Sequence, residues 1–311
     1  MSIRRTRLWL AAGILALVHG TALLADFIAP YRFDEQTRSS PYVSPAACRA
    51  SELHFFVHGY AYRFLGVIPT DLHLFGPSPP ARVFLLGSDA FGRDQFSRLL
   101  WGSRISLAAA WLPTALSIIT GLLLGTVAGF YGGWLDSWIM RFSEASLALP
   151  WLYLLLAARA LLPLNLAPGS GYLLLAAILG LLGWARPARL VRGITMSAKG
   201  RGYVVAARSF GASNAYLFWV HIVPDAFGVA LTQATLLAPR YLLAEVALSF
   251  FGIGVDEPAP SWGNMLAGAQ HYYVLESYWW MLLPALAPAL VSFCCFTISD
   301  QLLAQRRGIP L

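Results

Sequence analysis

The chain has 311 residues, 58% of them hydrophobic and only 12% charged, with a mean hydropathy of +0.60. Soluble domains average about 45–50% apolar and about 25% charged residues, so this composition excludes a water-soluble globule and makes lipid the solvent. The net charge of +7 suits an anionic membrane leaflet rather than a nucleic-acid groove, and no nucleic-acid partner is expected.

Lys199 is the only lysine. A phosphate-binding loop needs G-x-x-x-x-G-K-[ST], but here the second glycine is Ala198 and the Ser/Thr position is Gly200. No cofactor is therefore expected in this chain, and any ATP is used by partner subunits. Cys48, Cys294 and Cys295 lack zinc or disulfide spacing and read as core packing plus one free thiol.

A spanning helix needs about 20 mostly apolar residues. The first candidate is 8–29, preceded by Arg4, Arg5 and Arg7. It is long for a signal peptide and lacks a clear small-x-small cleavage site, so it reads as an uncleaved span. Residues 30–86 hold no comparable apolar run and read as a small extramembrane subdomain. Further spans are expected at 105–131, 138–162, 172–185 (extending to 190), 218–251 and 278–303, with Pro224 and Pro239 as bends in the fifth. Six spans put both termini on one side. The N-terminal arginines, the loop with Arg186, Arg189, Arg192, Lys199, Arg201 and Arg208, and Arg306–Arg307 make that side cytoplasmic. Arg93, Arg98 and Arg104 count against this orientation.

The loop 191–217 is the most informative segment. Tyr203 to Phe210 has good helix formers and an apolar side made of Tyr203, Ala206, Ala207 and Phe210. Gly211 suits the helix end, and Ser213 or Asn214 suits the cap of the next helix. The expected result is a short cytoplasmic helix that docks a partner.

Four motifs then carry a resemblance. The loop matches an E-A-A…G…I-x-L-P signature at Ala206, Ala207, Gly211, Ile222 and Pro224, with Val205 in place of the glutamate and Val223 in place of the leucine. Residues 86–106 read L-G-S-D-A-F-G-R-D-Q-F-S-R-L-L-W-G-S-R-I-S; residues 243–252 read L-A-E-V-A-L-S-F-F-G; residues 260–266 read P-S-W-G-N-M-L. In this order they resemble the inner-membrane permeases of the dipeptide/oligopeptide/nickel group of binding-protein-dependent ABC importers. The resemblance covers about residue 86 to the C-terminus and leaves 30–86 unexplained.

The resemblance implies an all-α, six-span type I importer fold with a small periplasmic insertion after the first helix. Its domains would be 1–29, the cytoplasmic N-terminus and first span; 30–86, periplasmic; and 87–311, the permease core. It implies a bacterial inner-membrane half-channel with a second homologous permease, two cytoplasmic ATPases and a periplasmic substrate-binding protein. The chain itself would perform no covalent chemistry. The ATPase-coupling residues would be Tyr203, Ala206, Ala207, Arg208, Phe210, Gly211 and Pro224. Peptides are the expected solute class, then nickel complexes or other small solutes.

Arg240 and Glu245 lie inside the fifth span, where ionisable groups are costly. Five apart, they do not share a helix face, and both are candidates to face the pathway or the partner permease. Arg141 and Glu144 read as a structural pair, and Arg159 as snorkelling outward. His54 and His58 have i, i+4 spacing but no third ligand, so no metal is expected. His271–Tyr273 and Tyr278–Trp280 read as an outer aromatic belt. The rival readings are a secondary transporter, which needs mid-membrane acids and an inverted repeat, and a membrane enzyme, which needs a catalytic cluster. Neither feature is evident.

Overall fold

In a computed structural model of the chain, the described residues are 3–47, 53–77, 81–150, 153–154, 156–157, 160 and 170–306. Cys48 and Arg159, and the expectations placed on them, lie outside these residues. The chain is mostly helical and divides into two compact units. The first comprises Met1–Ala109, Ala167–Gly169 and Leu242–Thr297; the second comprises Ala110–Leu166, Ser170–Tyr241 and Ile298–Leu311.

Among the described residues, four helices are long and apolar enough to cross a membrane: Arg5–Leu23, Gln95–Tyr131, Asn214–Phe250 and Trp279–Ala304. They match the expected first, second, fifth and sixth spans, although the second begins ten residues earlier than residue 105. Among the described residues, the helices Gly133–Ala148 and Ser170–Leu182 run for 16 and 13 residues, shorter than a span of about 20 residues; much of the second half of the expected 138–162 span lies outside the described residues. The element expected over 172–190 breaks at Gly183 and Trp184, and a second helix, Ala185–Lys199, follows. Pro187 falls in its first turn, where the missing N–H costs nothing.

The first unit corrects the all-α expectation. Leu53–Phe64 (β1) and Ile68–Pro77 (β2) pair antiparallel from Leu53↔Pro77 to Phe64↔Ile68, with an irregularity between His58 and Tyr62. Aromatic and β-branched residues suit a pleated surface, and Leu65 and Gly66 turn the chain with φ of 50° and 78°. His54 and His58 therefore lie on a strand, not a helix, and His58 Nδ1 lies 3.0 Å from Asp71 Oδ1 on β2. The hairpin packs on the short helix Ala25–Ile28, with Phe64 edge-on to Phe27 at 6.1 Å. Part of the expected aromatic belt also turns inward. Trp280 is buried and donates to the Ser88 carbonyl at 3.1 Å, and Tyr278 stacks on Tyr42 at 4.1 Å. Cys294 and Cys295 are buried in the last helix.

In the second unit, Gly121, Gly125 and Gly129 form a stripe along Gln95–Tyr131 that receives the helix Ala185–Lys199. A Cβ on Gly125 would stand 2.4 Å from the Ala188 carbonyl oxygen, and one on Gly129 would stand 2.7 Å from Thr195 Cβ. Small residues at every fourth position allow this close approach of two backbones. Asp136 ties Gly133–Ala148 to the same helix through both carboxylate oxygens, 2.5 and 2.6 Å from Arg192. Arg141 and Glu144, expected to pair, are both exposed and make no ion pair with each other.

Candidate functional site

The short loop helix spans Gly202–Ser209, with Arg201 as N-cap and Phe210 as C-cap. Its end is a Schellman turn: the Gly211 N–H donates to the Arg208 carbonyl and the Ala212 N–H to the Ala207 carbonyl. Gly211 has φ of 84°, a conformation costly for any residue with a Cβ. Ser213 then caps the next helix, accepting from the Tyr216 N–H at 3.2 Å.

Val204 anchors this helix. It is fully buried in a cluster with Phe130, Ala198, Leu217, Phe218 and Ile222, and Ala207 packs against the same cluster. Val204 was not among the residues the sequence singled out; it lies outside the apolar side drawn through Tyr203, Ala206, Ala207 and Phe210. Of that side, Ala207 turns inward, whereas Tyr203, Ala206 and Phe210 are exposed, Phe210 to 92%. Val205 and Arg208 are exposed as well.

Several loop cations are held locally. The Lys199 ammonium donates to the Phe130 carbonyl at 2.7 Å, and Arg201 pairs with Asp225 at 2.7 Å. The Tyr203 hydroxyl also donates to Asp225, and that hydrogen bond pushes the phenol up from its ordinary range. Pro224 follows a π-helical turn over Leu217–Ile222. Proline offers no N–H to the Val220 carbonyl, so the ordinary helical bond cannot form there.

Arg240 lines a cavity in the second unit. Its neighbour Tyr241 places its hydroxyl 2.7 Å from Ser117 Oγ, which donates to the Gly180 carbonyl at 2.8 Å.

Glu245 has different surroundings from Arg240. It is 5% exposed, accepts from Ser106 Oγ at 2.8 Å and from Ser249 Oγ at 2.7 Å, and so turns into the packed interior of the first unit. The Trp262 N–H donates to Ser106 Oγ and the Val255 N–H to Ser249 Oγ, each at 3.1 Å. Ser261 and Asn264 close a reciprocal capping box ahead of Trp262. One carboxylate thus joins three sequence motifs, those at 86–106, 243–252 and 260–266.

A second polar cluster stands in the same unit. Arg93 bonds Asp89 and Glu257, each at 2.6 Å, and the 1% exposed Arg98 bonds Glu257 at 3.0 Å and the Phe33 carbonyl at 3.2 Å. Asp94, beside this cluster in sequence, accepts from the N–H and Oγ of Ser97. Burial pushes its carboxyl up to about 6 against those two bonds. Asp89 and Arg93 fall inside a recognised motif, but no local pattern marks Glu257, Asp136 or Asp225 as their partners' counterions.

Residues 121–308 match the family described as binding-protein-dependent transport system inner membrane component. The dipeptide transport system permease protein DppC of Bacillus subtilis is 35% identical over 225 residues, covering 72% of this chain and 68% of that protein. The di/tripeptide transport system permease protein DppC of Pseudomonas aeruginosa is 38% identical over 204 residues, 65% of each chain. The oligopeptide transport system permease protein OppC of Haemophilus influenzae is 34% identical over 235 residues, covering 75% of this chain and 73% of that protein. These matches, the apolar helices and the ordered motifs agree: the chain belongs to the ABC-importer family of binding-protein-dependent transport system inner membrane components.

Proposed function

We propose that the chain forms half of a peptide pathway across the bacterial inner membrane, paired with a second homologous permease. Two ATPases dock on its cytoplasmic face, and a periplasmic binding protein delivers the solute. In this reading the chain crosses the membrane six times with both termini cytoplasmic, and residues 30–86 lie in the periplasm. The peptide assignment is supported by relatives named for dipeptide, di/tripeptide and oligopeptide transport.

The observation that carries the coupling role is the state of Phe210. A bare aromatic ring, 92% exposed, sits at the end of a helix that Val204 pins to the body and Gly211 closes. A large exposed apolar group on a rigid, capped element fits a groove in another protein. Val205 replaces the signature glutamate, so the contact rests on shape rather than on charge. ATP-driven closure of the ATPases would move this helix and, through the Phe130–Leu217–Ile222 cluster, the spans behind it. The chain performs no covalent chemistry in this mechanism.

The test is reconstitution of the chain with its co-purifying subunits in lipid vesicles. ATP-dependent uptake of a labelled dipeptide, requiring the binding protein, supports the reading. Uptake driven by an ion gradient without ATP would replace it with a secondary transporter.

A further inference from the structure

The tip of the β1–β2 hairpin is apolar and open. Leu65, Val67 and Ile68 are 60%, 77% and 60% exposed. No Asp or Glu occurs between Glu52 and Asp71, and the cation nearest the tip, Arg63, is exposed. Large apolar side chains with an arginine just behind them suit an anionic lipid surface. There the apolar groups leave water for acyl chains, and the guanidinium reaches back to phosphate.

The attachment of the hairpin to the first unit sets where this tip stands. Near its base, Phe75 lies 5.8 Å from Phe96, in the first turn of the helix Gln95–Tyr131, and a Cβ on Gly76 would stand 3.8 Å from Pro30 Cβ. Toward its tip, the Tyr60 hydroxyl donates to the Asp26 carbonyl at 3.4 Å, and Phe64 meets Phe27. This succession from Pro30 back to Phe27 runs toward Leu23, where the first membrane-length helix ends, so the hairpin points at the membrane. Phe27 is four residues past Leu23, about 6 Å at the helical rise, which is the depth of the headgroup layer. The turn at Leu65–Val67 reaches beyond Phe64. Beside it opens a groove of about 250 Å³ with Phe27, Phe64, Ile68 and Leu72 in its walls, a shape that an acyl chain fills.

We infer that the hairpin tip, Leu65–Ile68, is a second membrane anchor, inserted into the lipid leaflet at the C-terminal end of the first span. Its partner is the bilayer itself, with Leu65, Val67 and Ile68 among the upper acyl carbons and Arg63 at the phosphates. The depth is that of an interfacial segment, which lies in the boundary between headgroups and chains without crossing. The inference needs the membrane location of the chain and is independent of which solute it moves.

Val67→Cys and, separately, Leu65→Cys place a reporter at the tip, each with Cys48→Ser. His54→Cys, exposed at the base of the hairpin opposite Gly76, is the control. Each variant is labelled with an environment-sensitive nitrobenzoxadiazole dye in the complete transporter. The vesicles are of phosphatidylethanolamine and phosphatidylglycerol, and the signal of the same transporter without the introduced cysteine is subtracted. The dye at positions 65 and 67 should emit to the blue of the dye at 54. It should be quenched by phospholipid carrying a doxyl group high on its acyl chain, and should lose quenching by iodide equilibrated on both sides of the membrane. The dye at 54 should show the opposite pattern. Iodide quenching at 65 and 67 equal to that at 54 overturns the anchor. Protection from iodide without quenching by doxyl lipid means that another protein covers the tip, and overturns the lipid assignment. Protection that disappears when the periplasmic binding protein is left out identifies that protein as the cover, with the same consequence.

Discussion

Arg98 and Glu257 are 159 residues apart in sequence and 3.0 Å apart in space. The pair is unequal, because the arginine side chain is 1% exposed and the glutamate 47%. Removing the two members therefore has different consequences. Glu257→Gln leaves Arg93 and Arg98 to share Asp89, which lies 2.6 and 3.9 Å away. Arg98→Met leaves a half-exposed carboxylate that water can solvate. Glu257→Gln should cost about 2–3 kcal/mol, less than a fully buried pair because of its exposure, and Arg98→Met should cost clearly less. Thermal melts of the purified protein in detergent rank the two, and the reverse order would sink this account of the cluster.

The glycine stripe makes a second comparison. Gly125→Val places a side chain where the Ala188 carbonyl stands and should destabilise by about 1–3 kcal/mol through overpacking. Nothing lies within 4 Å of a Cβ on Gly193, in the opposing helix. Gly193→Ala should be neutral or stabilise by up to about 1 kcal/mol through helix propensity. Equal melts for the two variants would mean that close backbone approach is not what seats Ala185–Lys199.

Phe210 and Val204 separate docking from folding. Phe210→Ser removes an exposed ring and should leave the melting temperature within error, while abolishing substrate-stimulated ATP hydrolysis in the reconstituted complex. Val204→Ser empties a fully buried site and should cost about 2 kcal/mol. Full ATPase stimulation in Phe210→Ser would reduce this helix to a membrane-surface linker.

Asp94 predicts a pH dependence. Its carboxyl is raised from 3.8 to about 6 in the folded chain, chiefly by burial, so the folded state favours the protonated form. Its contribution to stability is complete below about pH 4, falls as pH rises toward 6, and stays low above that. The shift corresponds to roughly 3 kcal/mol. Asp94→Asn should flatten the stability profile between pH 4 and 6 while the Ser97 N–H keeps a carbonyl acceptor. The comparison is of melts at matched ionic strength, and parallel profiles for parent and variant would count against the buried, protonated Asp94.

Composition alone determined the solvent, because 58% hydrophobic and 12% charged residues leave no soluble alternative. Long apolar runs located four membrane-length helices, and the pattern around Gly211 located the loop helix and its left-handed end. These are local properties, set by hydropathy, helix propensity and the lack of a Cβ. The hairpin over Leu53–Pro77 escaped notice because consecutive aromatics such as Phe55–Phe56 blur the two-residue period. The break at Gly183 escaped because both sides of it are apolar. What only the tertiary structure decided is which residues meet. Val204 rather than Phe210 is buried, Glu245 closes a network of serines, and Asp136, Asp225 and Glu257 find their arginines across 56, 24 and about 160 residues. Such pairings follow from where packed helices bring side chains together, and no spacing along the chain encodes that distance.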